Sequence, residues 1–327
     1  MSLLVDGFVE GPVTVRVPAT TANLGPGFDS LGLALSLHDV LTATVTDRPD
    51  VEVEVEGEGA ATVPRDGRHL VVRSLREGLA ALGASGAPGS AGPGGLRLQC
   101  RNAVPHGRGL GSSSAAIVAA LALARALVAD GDERLPDPAL LALAARIEGH
   151  PDNVAPAVLG GLTVAWSPGD GPSRAARLEP DPALRVVAFV PPDPLPTRVA
   201  RGLLPATVPH ADASANAGRA ALLVAALAGR LTGQLSGGLE QAVLDGTEDR
   251  LHQQYRAPAM PDSAALLSRL RAAGTAAAIS GAGPTVVALL PGAAGHDVAS
   301  LVEVARPPVG WRVLPLEVDP DGVTLLR

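Results

Sequence analysis

The chain contains no lysine: all 26 of its Lys+Arg residues are arginine. That absence excludes chemistry built on a side-chain amine, including the P-loop lysine, the strand lysine of protein kinases, and Schiff-base or pyridoxal catalysis. A single cysteine, Cys100, excludes an intramolecular disulfide and any Cys-rich zinc or iron–sulfur site, and fits a reducing compartment. Aromatic residues are scarce, at 2%, beside an excess of Ala, Gly, Pro and Arg that reads as coding bias and carries no mechanistic weight. Positive charge is short as well: a formal net charge of -7 argues against a binder of phosphate backbones, so nucleic acid is not an expected partner. Long hydrophobic runs are missing. The longest apolar helical stretch, 115–129, is broken by Arg125, and residues 1–17 lack the basic start and apolar run of a signal peptide. These features predict a soluble cytoplasmic protein without a membrane partner.

What is present suffices for two compact units, since 327 residues exceed what one small module needs. Residues 13–17 and 51–56 alternate as half-exposed strands of an antiparallel sheet, the glutamates of the second facing solvent. A helix is predicted over 70–82, then a Gly/Pro/Ser/Ala stretch to residue 95 that reads as a mobile loop or insertion tip. A strand over 96–100, a glycine-rich turn over 105–111 and an apolar helix over 113–128 follow, then a helix over 139–148 and a strand over 162–166. The turn-rich segment 167–182 places a boundary near residue 170, dividing the chain into 1–170 and 171–327. The second unit reads as a strand at 185–190, helices at 217–231, 239–255 and 263–273, and strands at 275–279 and 286–290. Mixed blocks without βαβ alternation give an α+β fold.

Four clusters could carry chemistry. In Pro105-His-Gly-Arg-Gly-Leu-Gly-Ser-Ser-Ser-Ala115, glycines let the backbone turn tightly, and the helix that follows aims free N–H groups and its positive dipole end at the turn. Such a turn is either structural or a phosphate cradle that needs no lysine, and each serine is either a helix cap or a ligand for Mg²⁺ and phosphate oxygens. Glu148-Gly-His-Pro-Asp-Asn153 concentrates two carboxylates, an imidazole and an amide in one turn. It is either an exposed turn with Asp152 as a cap, or a site giving Glu148 to a hard metal and leaving His150, Asp152 and Asn153 to a substrate. Asn23 and Asp29 flank a Gly/Pro loop, and Ser280-Gly-Ala-Gly-Pro-Thr285 is a hairpin bend or a backbone wall of the site.

In this order the motifs resemble those of the GHMP kinase superfamily and, within it, the homoserine kinase family, over about residues 13–290. Pro105 to Ser113 matches the superfamily's Pro-x-x-x-Gly-Leu-Gly-Ser-Ser motif, and Ser280 to Thr285 its late glycine-rich turn. Ala22-Asn-Leu-Gly-Pro-Gly-Phe-Asp29, His150-Pro-Asp-Asn-Val-Ala-Pro156 and the arginines of the second unit carry the narrower resemblance. It implies a two-domain GHMP kinase architecture, an N-terminal ribosomal-protein-S5-like domain and a C-terminal ferredoxin-like domain with the active site between them. The implied reaction is ATP-dependent phosphorylation of the side-chain hydroxyl of L-homoserine, giving O-phospho-L-homoserine for threonine biosynthesis.

By the same resemblance, Pro105, His106, Gly107, Arg108, Gly109, Leu110, Gly111, Ser112, Ser113, Ser114 and Ala115 form the ATP cradle. Ser113 and Glu148 match the Mg²⁺ ligands, and Asn23, Asp29, His150 and Asp152 match positions lining the amino-acid pocket. Thr197, Arg201 and Arg256 complete it, the arginines on the substrate carboxylate and Asp29 on its ammonium; Pro196 stands where the family usually has serine. His69 stands where the family often has asparagine beside adenine. Asp152 is either a general base or an orienter of the hydroxyl, and a homodimer is left open. A related kinase acting on a mevalonate-type acid or a sugar, and a catalytically silent binding module, are the rival readings.

Overall fold

Alternating apolar residues build two sheets in the computed structural model, which describes residues 7–48, 50–84, 95–232, 237–292 and 297–326. The first contains β1 (Val13–Ala22), β2 (Leu31–Thr46), β3 (Val51–Gly57), β4 (Gly95–Asn102), β5 (Leu162–Trp166) and β6 (Arg174–Leu178). The second contains β7 (Arg185–Val190), β8 (Ala277–Ile279), β9 (Val286–Leu290) and β10 (Arg312–Leu316), and β11 (Thr324–Leu326) returns to pair with β1. The second sheet is antiparallel in the order β10-β7-β9-β8, with helices between β7 and β8 and between β9 and β10. That β-α-β-β-α-β order is the ferredoxin-like pattern.

In the first half, α1 (Leu70–Ala81), α2 (Ser112–Leu127), α3 (Gly131–Arg134), α4 (Asp137–Glu148) and α5 (Val154–Leu159) form the helical layer. α1 buries Val71, Val72, Leu75, Gly78 and Leu79, the stripe expected of a helix with one apolar face. At Gly78 a side chain would stand 2.8 Å from the Ala124 Cβ, so glycine sets how closely α1 approaches α2. Apolar on nearly every face, α2 is the centre of this core; Leu121 and Leu123 have no exposed surface, each contributing about 1.5–3 kcal/mol of burial.

The second half carries α6 (Thr197–Gly202), α7 (His210–Leu227), α8 (Gly238–Gly246), α9 (Gln253–Arg256), α10 (Pro261–Ala272) and α11 (Val298–Ala305). One apolar cluster joins Leu24, Leu33 and Leu35 of the first unit to Val186, Val287, Leu223 and Val243 of the second. The loops between the sheets are thereby fixed against a shared core.

Several expectations change. β3 pairs with β4 in parallel, not antiparallel, because α1 lies in the crossover between them. β2 is a long strand that local pattern did not reveal; its pairing with β1 shifts register between Pro18 and Ala19. The helix expected over 239–255 is two helices, because the Asp249 carboxylate accepts the N–H groups of Leu251, His252 and Gln253 and diverts the backbone. α7 begins and ends earlier than the expected 217–231. The first sheet continues past residue 170, since β6 zips onto β5 from Arg174 to Leu178. Of the Gly/Pro/Ser/Ala stretch expected from Gly83 to Gly95, residues 85–94 lie outside the described residues.

Candidate active site

β1 ends at Ala22, and the chain turns through Asn23, Leu24 and Asp29, all in the left-handed region with φ of 68°, 49° and 54°. Such residues cost about 1–2 kcal/mol each, and persist where their surroundings enforce them. Here Asn23 does so from both ends of its amide: Oδ1 accepts the Asp29 N–H at 2.8 Å and Nδ2 donates to the Gly281 carbonyl at 2.8 Å. The first motif is thus bonded to the last.

The glycine-rich turn is pressed between these two. At Gly109, φ is +79° and a Cβ would lie 2.3 Å from the Ser280 carbonyl oxygen; at Gly111 it would lie 1.9 Å from Thr20 Oγ1. Glycine is required at both positions by close approach of protein to protein, not only by room for a ligand. Gly111 is the N-cap of α2 and offers no side-chain bond, so Ser112, Ser113 and Ser114 are first-turn residues, not caps. The helix opens with N–H groups unmatched by a capping side chain, the arrangement that favours an anion. Ser113 Oγ and Ser114 Oγ turn aside to Glu148 Oε1, at 2.5 and 3.0 Å.

After α4, Gly149 turns the chain with φ of 94° and delivers His150 and Asp152. His150 Nδ1 donates to Asp152 Oδ1 at 2.7 Å, and the Asn153 N–H donates to the same oxygen at 3.0 Å. Burial by itself would push the His150 pKa down, but the bond to Asp152 and the charges of Asp152 and Glu148 together raise it. Asn153 is held in turn by Thr20 Oγ1 at 2.8 Å.

Two guanidinium groups line the same cavity as His150 and Asp152. Arg201 makes a two-pronged pair with Asp29, at 2.7 and 3.2 Å. Arg256 is only 1% exposed, and its Nε is buried without a hydrogen-bond partner. Burial and the neighbouring Arg201 both weigh against the Arg256 charge and lower its pKa. Two guanidinium groups with only one carboxylate, paired to Arg201, and an unspent Arg256 donor can hold a further anion. Phe28 lies under both, 5.9 Å from Arg201 Cζ and 5.3 Å from Arg256 Cζ.

A cavity of about 240 Å³ gathers most of the residues singled out from sequence: Asn23, Gly107, Gly109, Gly111, Ser112, Ser113, Glu148, His150, Asp152, Thr197, Arg201 and Arg256. Asn153, Leu195, Gly281 and Ala282 complete its wall. Other members of the glycine-rich segment act differently. Leu110 and Ala115 have no exposed surface, Pro105 is buried, and the Arg108 guanidinium donates to the His106 and Pro192 carbonyls. Asp29 sits behind Arg201 and does not line the cavity. A second cavity of about 370 Å³ shares Ser112 and Ser113 with the first and is lined by Asp39, His69, Cys100, Asn102 and His106. His69 also caps α1, its Nδ1 accepting the Val71 N–H at 3.3 Å.

The GHMP kinase N-terminal domain family matches residues 69–161 and the GHMP kinase C-terminal family residues 222–303. Over 98% of its length the chain is 52% identical to the homoserine kinase of Streptomyces coelicolor, covering 96% of that protein.

The chain belongs to the homoserine kinase family of the GHMP kinases.

The homoserine kinase of Rhodococcus erythropolis is 48% identical to it over 95% of both chains. In fold, this GHMP kinase superposes on the crystal structure of homoserine kinase from Cytophaga hutchinsonii with a TM-score of 0.78, at 23% identity, covering 100% of this chain and 99% of that one. The expected α+β, two-domain kinase architecture is therefore the fold of this chain. Among the described residues no helix is long and apolar enough to cross a membrane. Nor do they hold a cluster of three or more His, Cys, Asp or Glu side chains suited to a metal ion.

Sequence reasoning missed Phe28, Thr20 and His252 as parts of the site. Phe28 lies inside the quoted segment from Ala22 to Asp29, where nothing in the order of residues places it beside an arginine, and His252 stands four residues before Arg256, the one local signal that could have found it.

Proposed function

We propose that this chain is an ATP-dependent kinase that phosphorylates the side-chain hydroxyl of L-homoserine. The observation that carries this reading is the sharing of one cavity by two groups of anion-binding donors, the uncapped start of α2 and the Arg201–Arg256 pair. The first suits a polyphosphate and the second a carboxylate gripped by guanidinium. The second cavity, joined to the first at Ser112 and Ser113, receives the base of the nucleotide. We read the enzyme as cytoplasmic, a compartment that supplies both a free amino acid and ATP.

Ser113 and Glu148 would hold Mg²⁺. Their donor atoms fit: both offer oxygen, and a small hard cation that keeps waters and phosphate ligands needs only one or two protein oxygens. When bound, the ion neutralises charge on the phosphates. Asn23 and Asp152 line the same cavity as the cradle and the guanidinium pair, where they orient the amino acid. Asp29 fixes Arg201 from behind and lends negative charge toward the substrate ammonium.

Asp152 reads as an orienter of the hydroxyl. Its Oδ1 is already engaged, accepting from both His150 and the Asn153 backbone, and a largely dissociative transfer asks little early deprotonation of the nucleophile. The testing experiment is an ADP-release assay of the purified chain with homoserine, serine, mevalonate and galactose. Homoserine should give the strong signal; no signal above the ATP-only blank, with another compound active, refutes the reading.

A further inference from the structure

His252 has no exposed surface and does not line the cavity, yet it joins the two motifs that build the amino-acid side of it. Its Nε2 lies 2.8 Å from the Gly25 carbonyl oxygen, in the loop between Asn23 and Asp29. Its Nδ1 lies 3.1 Å from Arg256 Nη1. These partners leave no choice of tautomer. A carbonyl only accepts, so Nε2 carries the hydrogen; a guanidinium only donates, so Nδ1 presents its lone pair. The imidazole is therefore neutral, with every ring nitrogen spent.

The ring is also clamped from the side. Phe28 stacks on it with centroids 5.3 Å apart and planes at 29°, and the same Phe28 ring lies under Arg256. Arg256 Nη1 makes its other bond to the Gly281 carbonyl at 3.1 Å. Nη1 is thus held by two fixed acceptors, while Nε has no protein partner.

We propose that His252 is a positioning residue for substrate recognition: as the Nε2–H tautomer it locks the Arg256 guanidinium to the Gly25 loop, so that the guanidinium is pre-oriented for the substrate carboxylate. The inference rests on the reading of Arg256 as a carboxylate ligand. Pre-orientation of this kind improves binding by removing the cost of ordering a long side chain when the substrate arrives.

The charged groups around the ring agree with a neutral imidazole. Burial is the main cause that holds the His252 pKa down, with Arg256 acting in the same direction; Asp249, the Gly25 carbonyl and Asp29 act against it. Asp249 Oδ2 stands 3.6 Å from Nε2, but that carboxylate is already engaged by the Leu251, His252 and Gln253 N–H groups and by Asn216 Nδ2 at 3.0 Å. Arg201 lies against Phe28 and adds positive charge nearby. Protonation at Nδ1 would set donor against donor and free Arg256.

The test uses three variants of the full chain. His252→Leu removes both contacts, His252→Gln reaches only the Gly25 end with its amide N–H, and His252→Asn offers Oδ1 close to the place of Nδ1. KM for homoserine should rise about 10-fold or more in the Leu and Gln variants, as for a lost hydrogen bond to a charged group, with KM for ATP within about twofold of wild type. His252→Asn should recover most of the loss, and should flatten the acid limb of kcat/KM for homoserine, since it has no group to protonate. Melting temperatures identify a variant that simply fails to fold, and the Asn against Gln contrast then decides. Equal losses in Asn and Gln, or an unchanged homoserine KM in His252→Leu, overturn the positioning role while wild-type turnover of homoserine stands. Wild-type protein that cannot phosphorylate homoserine overturns instead the functional reading beneath it.

Discussion

The two sides of the cavity present their hydrogen-bond donors by opposite means. The cradle at the start of α2 works mainly through backbone N–H groups, so its specification is conformational: Gly109 and Gly111 in left-handed turns, no capping side chain, and a helix dipole behind. The arginine side works through side chains brought from three distant segments: Arg201 from α6, Arg256 from α9 and Phe28 from the loop after β1. A backbone site is encoded by contiguous residues and is nearly rigid by construction. A side-chain site is encoded nowhere contiguously, and each flexible arginine needs its own supports. Asp29 supplies that support for Arg201; His252, Gly281 and Phe28 supply it for Arg256.

The sharpest break in this contrast is Arg256→Leu. Truncating one partner of a buried charge pair costs about 2–5 kcal/mol, so KM for homoserine should rise at least about 30-fold while KM for ATP stays near wild type. Arg201→Leu should cost less, because Arg201 is 36% exposed at its side chain and already shares Asp29. Steady-state kinetics with each substrate varied in turn checks both; equal rises in the two KM values would erase the distinction between the sides.

On the cradle side, Glu148→Gln keeps the shape and removes the anionic oxygen that receives Ser113 and Ser114. Activity or Mg²⁺ affinity should fall by about 10–100-fold, with homoserine binding spared. Mg²⁺ titration of turnover is the readout, and an unchanged midpoint would remove Glu148 from the metal site.

Asp152→Asn addresses the seam between the two sides. As an orienter it should lose about 10-fold in kcat with its acid limb retained; a loss nearer 10²–10⁴-fold, partly restored by added formate, would identify a general base instead.

The smallest effect is expected beyond the seam, in the second cavity. Burial pushes the Asp39 pKa up from 3.8 to about 6, against the Val104 and Ala103 N–H bonds that favour its charge; Glu58 raises it further and His38 lowers it. A folded-state pKa above the unfolded value means that protonation favours the fold: the contribution is full below 3.8 and is lost as pH rises through about 6. Asp39→Asn retains an acceptor for both N–H groups and removes the buried charge. It should be as stable as wild type or more so at pH 8, by no more than about 3 kcal/mol, and should lose much of the pH dependence between about 4 and 6. Urea unfolding at two pH values checks the sign.

The same contrast explains how far the residues could be read in order. The cradle was legible because Pro105 to Ser113 is one uninterrupted segment whose glycines have a local meaning, and α1, α2 and α4 were legible from their apolar spacing. β2 was not, because Ser36, His38 and Asp39 interrupt its apolar pattern and its pairing with β1 shifts at Pro18. The break at 246–253 was not, because it depends on which backbone groups Asp249 reaches. Even the cradle's glycines were only half understood: the sequence shows a tight turn, whereas the structure shows Ser280 and Thr20 pressed against it.

Residue order by itself determined the chemistry on offer: a glycine-rich turn suited to phosphate without lysine, oxygen donors suited to a hard cation, and guanidinium groups suited to a carboxylate. It determined the local geometry too, since a glycine's left-handed turn and a helix's free N–H groups are properties of a few adjacent residues. Tertiary structure alone decided that Arg201 is tied to Asp29, that His252 bonds the Gly25 carbonyl, and that Asn23 bonds Gly281 across the two units. Those contacts join residues far apart in the chain, and their geometry exists only once the shared apolar core has fixed one sheet against the other.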